Sequence, residues 1–198
     1  MSLDCPFEYH YYTSSMYDES IYGRLIIIPN FYTDSGLEYL RSVCLDFGVC
    51  DDDVYPNQRI AVDVSSEKVD WLYDNWQRFS VSTELHGIDY VFEGDNNVPH
   101  RINHHIQVSP AHMRPYPIHN DGGKQMTCLV PLYPHVNNST VFHGTKIPVD
   151  NVPPYMIPWE VNTAYLFRSS NKSWHSYVGG DTDRFVANIN FFDKTYKG

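Results

Sequence analysis

The 198-residue sequence is short of positive charge: 14 Lys and Arg stand against 24 Asp and Glu, a formal net charge of −10 at pH 7. A sequence-independent grip on phosphates needs a Lys/Arg-rich surface, so this balance argues against nucleic acid as a partner. Cysteine is scarce too. Cys5, Cys44, Cys50 and Cys128 form no CxxC pair and are too few for a disulfide scaffold, which points to a reducing, cytoplasmic-type compartment. No apolar run approaches the roughly 20 residues that span a bilayer, and Met1 to Tyr12 has no basic stretch leading into an apolar one. Neither a membrane segment nor a secretion signal is expected. Internal repeats, low-complexity tracts and interdomain linkers are also missing. A chain of this length buries roughly 70% of its unfolded surface, so one domain folds without a disulfide or metal staple. Any metal would then be functional.

What the chain has in plenty is aromatic and imidazole: 16 tyrosines and 10 histidines, which suit a β-rich enzyme with a polar pocket. Residues 1–24 are polar and tyrosine-rich without periodicity and read as an N-terminal arm, leaving 25–198 as the domain. Leu25 to Ile28 reads as a strand stopped by Pro29 and Asn30. A helix is expected next, with Ser35 and Glu38 as a capping box, Leu37, Leu40, Cys44 and Phe47 on one face, and Gly48 as the stop. A second is expected from Glu67 to Phe79, where Val69, Leu72, Trp76 and Phe79 share a face. Between the helices, CDDDVYPNQ reads as a loop and Arg59 to Val64 as a strand.

Beyond Ile88, short β-type runs alternate with turn clusters at a spacing of about ten residues, the rhythm of a sandwich or barrel. The expected strands are Ile88 to Phe92, Arg101 to Val108, Tyr116 to His119, Met126 to Leu132, Thr140 to His143, Thr163 to Phe167 and Arg184 to Phe192. Helices first and strands after predict a mainly β, α+β domain: a jelly roll with two or so supporting helices.

Chemistry concentrates in Tyr116-Pro-Ile-His119-Asn-Asp121. On an extended strand residues i and i+2 share a face, so His119 and Asp121 would stand side by side. His175, some fifty residues on, is the candidate third ligand. Two imidazoles and one carboxylate on one face of an octahedral ion leave three open positions, the arrangement of non-haem Fe(II) oxygenases. Arg184 opens the last strand. An inward guanidinium is costly to bury without an anion and can clamp a carboxylate with two parallel hydrogen bonds, which fits a dicarboxylate cosubstrate. Asn188 and Asn190 share the face of Arg184 by alternation and are expected to line the pocket.

With these residues in place, the sequence resembles the Fe(II)- and 2-oxoglutarate-dependent dioxygenases, and within them the prolyl-4-hydroxylase-like branch. The resemblance covers roughly Gln107 to Asp193, with a fainter likeness over Ile26 to Phe31. It implies a double-stranded β-helix, an iron triad of His119, Asp121 and His175, and Arg184 on the 2-oxoglutarate C5 carboxylate. Tyr116 matches a tyrosine common in the branch. The branch often brings a tyrosine hydroxyl to the carboxylate from the strand after HxD; that register holds Pro131 here, so Thr127, or Tyr133 by a shifted register, is expected to substitute. Asn190 stands where the branch can carry a bulky aromatic, which implies a more polar substrate pocket. The implied reaction couples oxidative decarboxylation of 2-oxoglutarate by O2 to hydroxylation of a protein or peptide side chain, proline included, or of a small molecule.

Blander readings compete residue by residue. His119 and Asp121 could form a strand-end turn, and Arg184 could pair with Asp181 or Asp183. His104 and His105 are sequence neighbours on a strand, so one is expected buried and the other exposed. Asp51 to Asp53 lacks the alternating ligand spacing of a calcium loop. Two other functions use the same residues: a cupin-like metal-binding module without turnover, and a zinc hydrolase that activates water and gives Arg184 no role.

Overall fold

The computed structural model describes residues 6–47, 58–62, 67–72 and 101–192. Among these residues, ten strands make two sheets. They are β1 (His10–Tyr11), β2 (Leu25–Ile28), β3 (Gln58–Ala61), β4 (Arg101–Ser109), β5 (Lys124–Tyr133), β6 (Thr140–Phe142), β7 (Tyr155–Met156), β8 (Ala164–Arg168), β9 (His175–Tyr177) and β10 (Arg184–Phe192). The larger sheet runs β1-β2-β8-β5-β10-β4-β3 and the smaller β7-β6-β9, all pairs antiparallel. This is the expected jelly roll, and its strands alternate side chains between two differently used faces.

The outer face of the large sheet is apolar. Ile26 and Ile28 of β2, Ile106 and Val108 of β4, Cys128, Val130 and Leu132 of β5, and Ala187, Ile189 and Phe191 of β10 pack against helix α2 (Asp34–Phe47) and a helical segment at 67–72. Leu40, Cys44, Val69 and Leu72 are the helices' buried contributions, as the periodicity predicted. Trp76, Phe79, Gly48 and the strand expected at Ile88 to Phe92 lie outside the described residues. The cap of α2 differs from expectation: the helix begins two residues earlier, and Thr33 Oγ1 accepts from Gly36 N at 3.2 Å. With Thr33 as the cap, Ser35 lies inside the first turn, where it cannot serve as the N-cap of a Ser35–Glu38 box.

Between the sheets, the inner face is apolar at one end only. Leu25, Ile27, Leu129, Phe142, Ile157, Tyr165, Phe167 and Val186 form a second cluster, closed by Tyr17 and Tyr22 from the N-terminal segment. That segment is not merely draped on the domain. His10–Tyr11 pairs with Ile26–Ile27, and the short helix α1 (Glu19–Tyr22) is capped by the Asp18 carboxylate, which accepts from Ser20 N at 2.8 Å. The rest of the inner face is polar and carries the site.

Candidate metal centre and anion pocket

His119, Asp121 and His175 come together: one ligand atom from each lies within 4.8 Å of the others. The local route differs from the extended strand expected for Tyr116 to His119. Pro115 and Pro117 have no backbone N–H to give, so the ladder shrinks to a reciprocal pair, His119 N to His175 O at 3.0 Å and His175 N to His119 O at 2.7 Å. After it the chain turns, and Asp121 sits at φ +56°, in the left-handed region that aspartate tolerates. The i, i+2 strand rule therefore does not place the carboxylate; a turn closed by Lys124 N on Asp121 O at 3.0 Å does.

Both imidazoles are oriented by backbone. His119 Nδ1 donates to Pro117 O at 2.9 Å and His175 Nδ1 to Ser173 O at 2.8 Å, which leaves each Nε2 as the lone-pair nitrogen. Those nitrogens face the carboxylate, 3.7 Å from Oδ1 and 3.6 Å from Oδ2 respectively. Burial pushes the His175 imidazole down to about 4, so it is neutral and able to ligate. Burial works against the Asp121 carboxylate, but His175, the Lys124 ammonium and hydrogen bonds from Lys124 and Thr127 outweigh it and hold it below the usual range.

Sequence reasoning missed Lys124 and misread Thr127. Lys124 Nζ lies 2.6 Å from Asp121 Oδ1, and Thr127 Oγ1 donates to Oδ2 at 2.8 Å. Thr127 is thus committed to the Asp121 carboxylate rather than free for a cosubstrate carboxylate. The spacing carried a signal for both, since a turn at Gly122-Gly123 folds β5 back beneath Asp121. Tyr133 is a second correction. A register shift between Phe185 and Val186 sets Phe185 opposite Tyr133 and Val186 opposite Pro131, and the Tyr133 ring, 37% exposed, packs on Phe185 of the outer face. It does not line the pocket.

Arg184 is 4% exposed and has no acidic partner among the described residues. The surface alternative fails on geometry: Asp181 approaches His112, and Asp183 accepts from Ala111 N at 2.9 Å. The guanidinium lies between two rings, 4.6 Å from the Tyr177 centroid and 5.3 Å from that of Trp159. Its Nε donates to Asn138 O and one terminal nitrogen to Thr140 Oγ1, each at 3.3 Å. Tyr116 stacks on Tyr177 at 5.0 Å and meets the His119 ring edge-on at 4.9 Å, so it links the arginine end of the pocket to the metal end.

Asn188 and Asn190 are buried on the same face as Arg184. Asn190 Oδ1 is 3.5 Å from Thr127 Oγ1, and Asn188 Nδ2 donates to Gln107 Oε1 at 3.2 Å. Of the histidine pair, His105 is buried on this inner face without a hydrogen-bond partner among the described residues, while His104 is half-buried and stacks on Tyr32. Burial, with Arg59, Lys124 and His104 adding to it, brings His105 down to about 4. His143 is half-buried and hydrogen-bonded to Ser176 Oγ at 2.8 Å.

No protein-family model matches the chain, and no curated protein sequence does. Solved structures do. A prolyl-4-hydroxylase from Pseudomonas putida aligns over 89% of this chain and 96% of its own at 12% identity, with a TM-score of 0.54. A Trichoplax adhaerens prolyl hydroxylase, solved with a hypoxia-inducible-factor peptide, aligns over 90% and 87% at 16% identity and TM-score 0.56. HygX from Streptomyces hygroscopicus, solved with nickel, 2-oxoglutarate and hygromycin B, aligns over 89% and 85% at 12% identity and TM-score 0.52. No helix among the described residues is long and apolar enough to cross a membrane. The chain has the double-stranded β-helix fold that these prolyl hydroxylases share with other 2-oxoglutarate-dependent oxygenases.

Proposed function

We propose that this protein is an Fe(II)- and 2-oxoglutarate-dependent oxygenase, and that its reaction is hydroxylation. The observation that carries the reading is Arg184: a buried cation without an acidic partner among the described residues, on the inner face of the large sheet and against Tyr177, two residues after one member of a two-histidine, one-carboxylate cluster. Burying a guanidinium unpaired costs several kcal/mol, roughly, which a bound carboxylate recovers. The donor set fits the metal as well, since oxygen and nitrogen ligands with no thiolate suit Fe(II).

His119 Nε2, His175 Nε2 and Asp121 would hold the ion, with Lys124 and Thr127 steadying the carboxylate. When bound, Fe(II) supplies the chemistry that couples oxidative decarboxylation of 2-oxoglutarate by O2 to oxygenation of a substrate. Arg184 holds the far carboxylate of the cosubstrate, and the Tyr177 and Trp159 rings on either side of it keep water from the ion pair. Asn188 and Asn190 supply polar pocket wall. For the substrate, a side chain of a protein or peptide, proline among them, ranks above a small molecule because prolyl hydroxylases recur among the structural neighbours.

Succinate formation from 2-oxoglutarate tests the reading. It is expected to require Fe(II) and to fall at least about a hundredfold in both His175→Ala and Arg184→Ala. Turnover that either variant leaves unchanged would refute it. Hydrolysis that survives Arg184→Ala with zinc bound would favour the hydrolase instead.

A further inference from the structure

The inner face holds more unmet hydrogen-bonding capacity than a cosubstrate can use. His105 of β4 and Asn188 of β10 stand directly opposite each other across the ladder, 5% and 8% exposed. Both ring nitrogens of His105 and Asn188 Oδ1 are buried without a hydrogen-bond partner among the described residues. A neutral imidazole has one N–H to give and one lone pair to fill. Asn188 is held by the contact that uses its nitrogen: Nδ2 donates to Gln107 Oε1 at 3.2 Å, and Gln107 Nε2 donates to the Tyr177 hydroxyl at 2.7 Å. Turning both amides round together would free Asn188 Nδ2 in place of Oδ1, and the His105 ring would still lack one donor and one acceptor.

Bound 2-oxoglutarate does not meet these needs. Its far carboxylate goes to Arg184 and its keto-acid end to the metal, and only two methylenes lie between. A second ligand has to bring the missing donor and acceptor, and the accounting separates its chemistry. A carboxylate only accepts, so it leaves a ring nitrogen bare. A cation is repelled by Arg59 and Lys124, both close enough to act on the His105 ring. A hydroxyl offers a single oxygen, whereas the orphaned atoms stand on two strands, on side chains whose Cβ atoms are roughly 4.5–5.5 Å apart in such a pair. An amide is neutral, and its N–H and C=O are separate groups fixed in one plane. We infer that His105 and Asn188 form a subsite for a neutral amide of the primary substrate, a carboxamide or peptide group, with the imidazole on one end of it and Asn188 on the other. The inference rests on the oxygenase reading above and narrows the substrate to one that carries such an amide.

The test is nuclear magnetic resonance of protein labelled with 15N in its histidine rings, loaded with Zn(II) and saturated with 2-oxoglutarate, whose affinity is measured separately by calorimetry. Four probes of similar size are titrated: propanamide, propanoate, butan-2-one and propan-1-ol. The His105 ring signals are those missing from His105→Phe, which keeps a ring and removes both nitrogens. Propanamide is expected to move them saturably, at least about tenfold more tightly than any of the other three, and Asn188→Leu to weaken it about tenfold, the scale of one hydrogen bond lost with its partner left bare. Propanoate, butan-2-one or propan-1-ol binding as well as propanamide, or propanamide affinity unchanged in Asn188→Leu, would overturn the inference. So would His105 signals that no probe moves, since the orphaned atoms would then hold water only, and so would a fall in 2-oxoglutarate affinity in His105→Phe, which would assign the ring to the cosubstrate. Each of these leaves the cosubstrate reading intact. Failure of the Zn(II)-loaded wild-type protein to bind 2-oxoglutarate would remove both.

Discussion

The two faces of the large sheet are buried to similar depth and built to opposite rules. On the outer face, Ile106, Val130, Ala187, Ile189 and Phe191 are fully buried among other apolar side chains and helices. On the inner face, the same strands bury His105, Thr127, Arg184, Asn188 and Asn190. Both His105 nitrogens and Asn188 Oδ1 are buried there without partners among the described residues. Each such atom costs about 1–3 kcal/mol, so the inner face weakens the fold that the outer face secures. Such a cost persists where a ligand recovers it, and that difference locates function on one side of a single sheet.

The contrast can be broken from either side. The largest effect on stability is expected outside: Phe191→Ala should cost about 3–5 kcal/mol in a denaturant titration, yet leave metal affinity per folded molecule unchanged. Thr127→Val keeps shape and removes the hydroxyl that steadies Asp121. It should lower metal affinity about 10–100-fold, read by competition with a chromophoric chelator, with little loss of stability.

The smallest effect belongs to His105. Its folded imidazole is brought from 6.5 down to about 4, so at pH 5 the unfolded chain binds a proton that the folded chain does not. Stability contributed by the neutral ring is complete above pH 6.5 and is lost as pH falls towards 4. After allowing for partial solvent screening the loss amounts to about 1 kcal/mol at pH 5, and His105→Gln should flatten the fall in unfolding temperature between pH 7.5 and 5 by that much. An equal fall in both proteins would mean that His105 charges freely.

Much of this was legible in the chain because period and spacing are local. Arg184 to Phe192 alternates inward residues, polar at Arg184, Asn188 and Asn190, with outward apolar ones, so its extent and the shared face of those three follow from the pleat alone. His119, Asp121 and His175 stood out by type and spacing, although their route to one another did not. Two prolines cancel the strand that would have carried the first pair, and a left-handed aspartate replaces it. What stayed hidden depends on contacts between distant strands. The register shift that turns Tyr133 outward, the Thr127 and Lys124 bonds to Asp121, and Tyr177 beneath Arg184 each require knowing which residues sheet closure sets opposite one another. Thr33 is a smaller case, in which two adjacent capping signals competed and only the helix start decided.

The central claim is that the inner face holds an Fe(II)-chelated keto acid with its far end on Arg184. Visible absorption under anaerobic conditions reads this directly, because chelation of a 2-oxo acid to Fe(II) gives a charge-transfer band that neither component has alone. The account predicts that the band appears when Fe(II) and 2-oxoglutarate are added to the wild-type protein, is absent in His175→Ala, and in Arg184→Ala needs at least about a hundredfold more 2-oxoglutarate. Wild-type protein that binds Fe(II) and shows no band at saturating 2-oxoglutarate would contradict it.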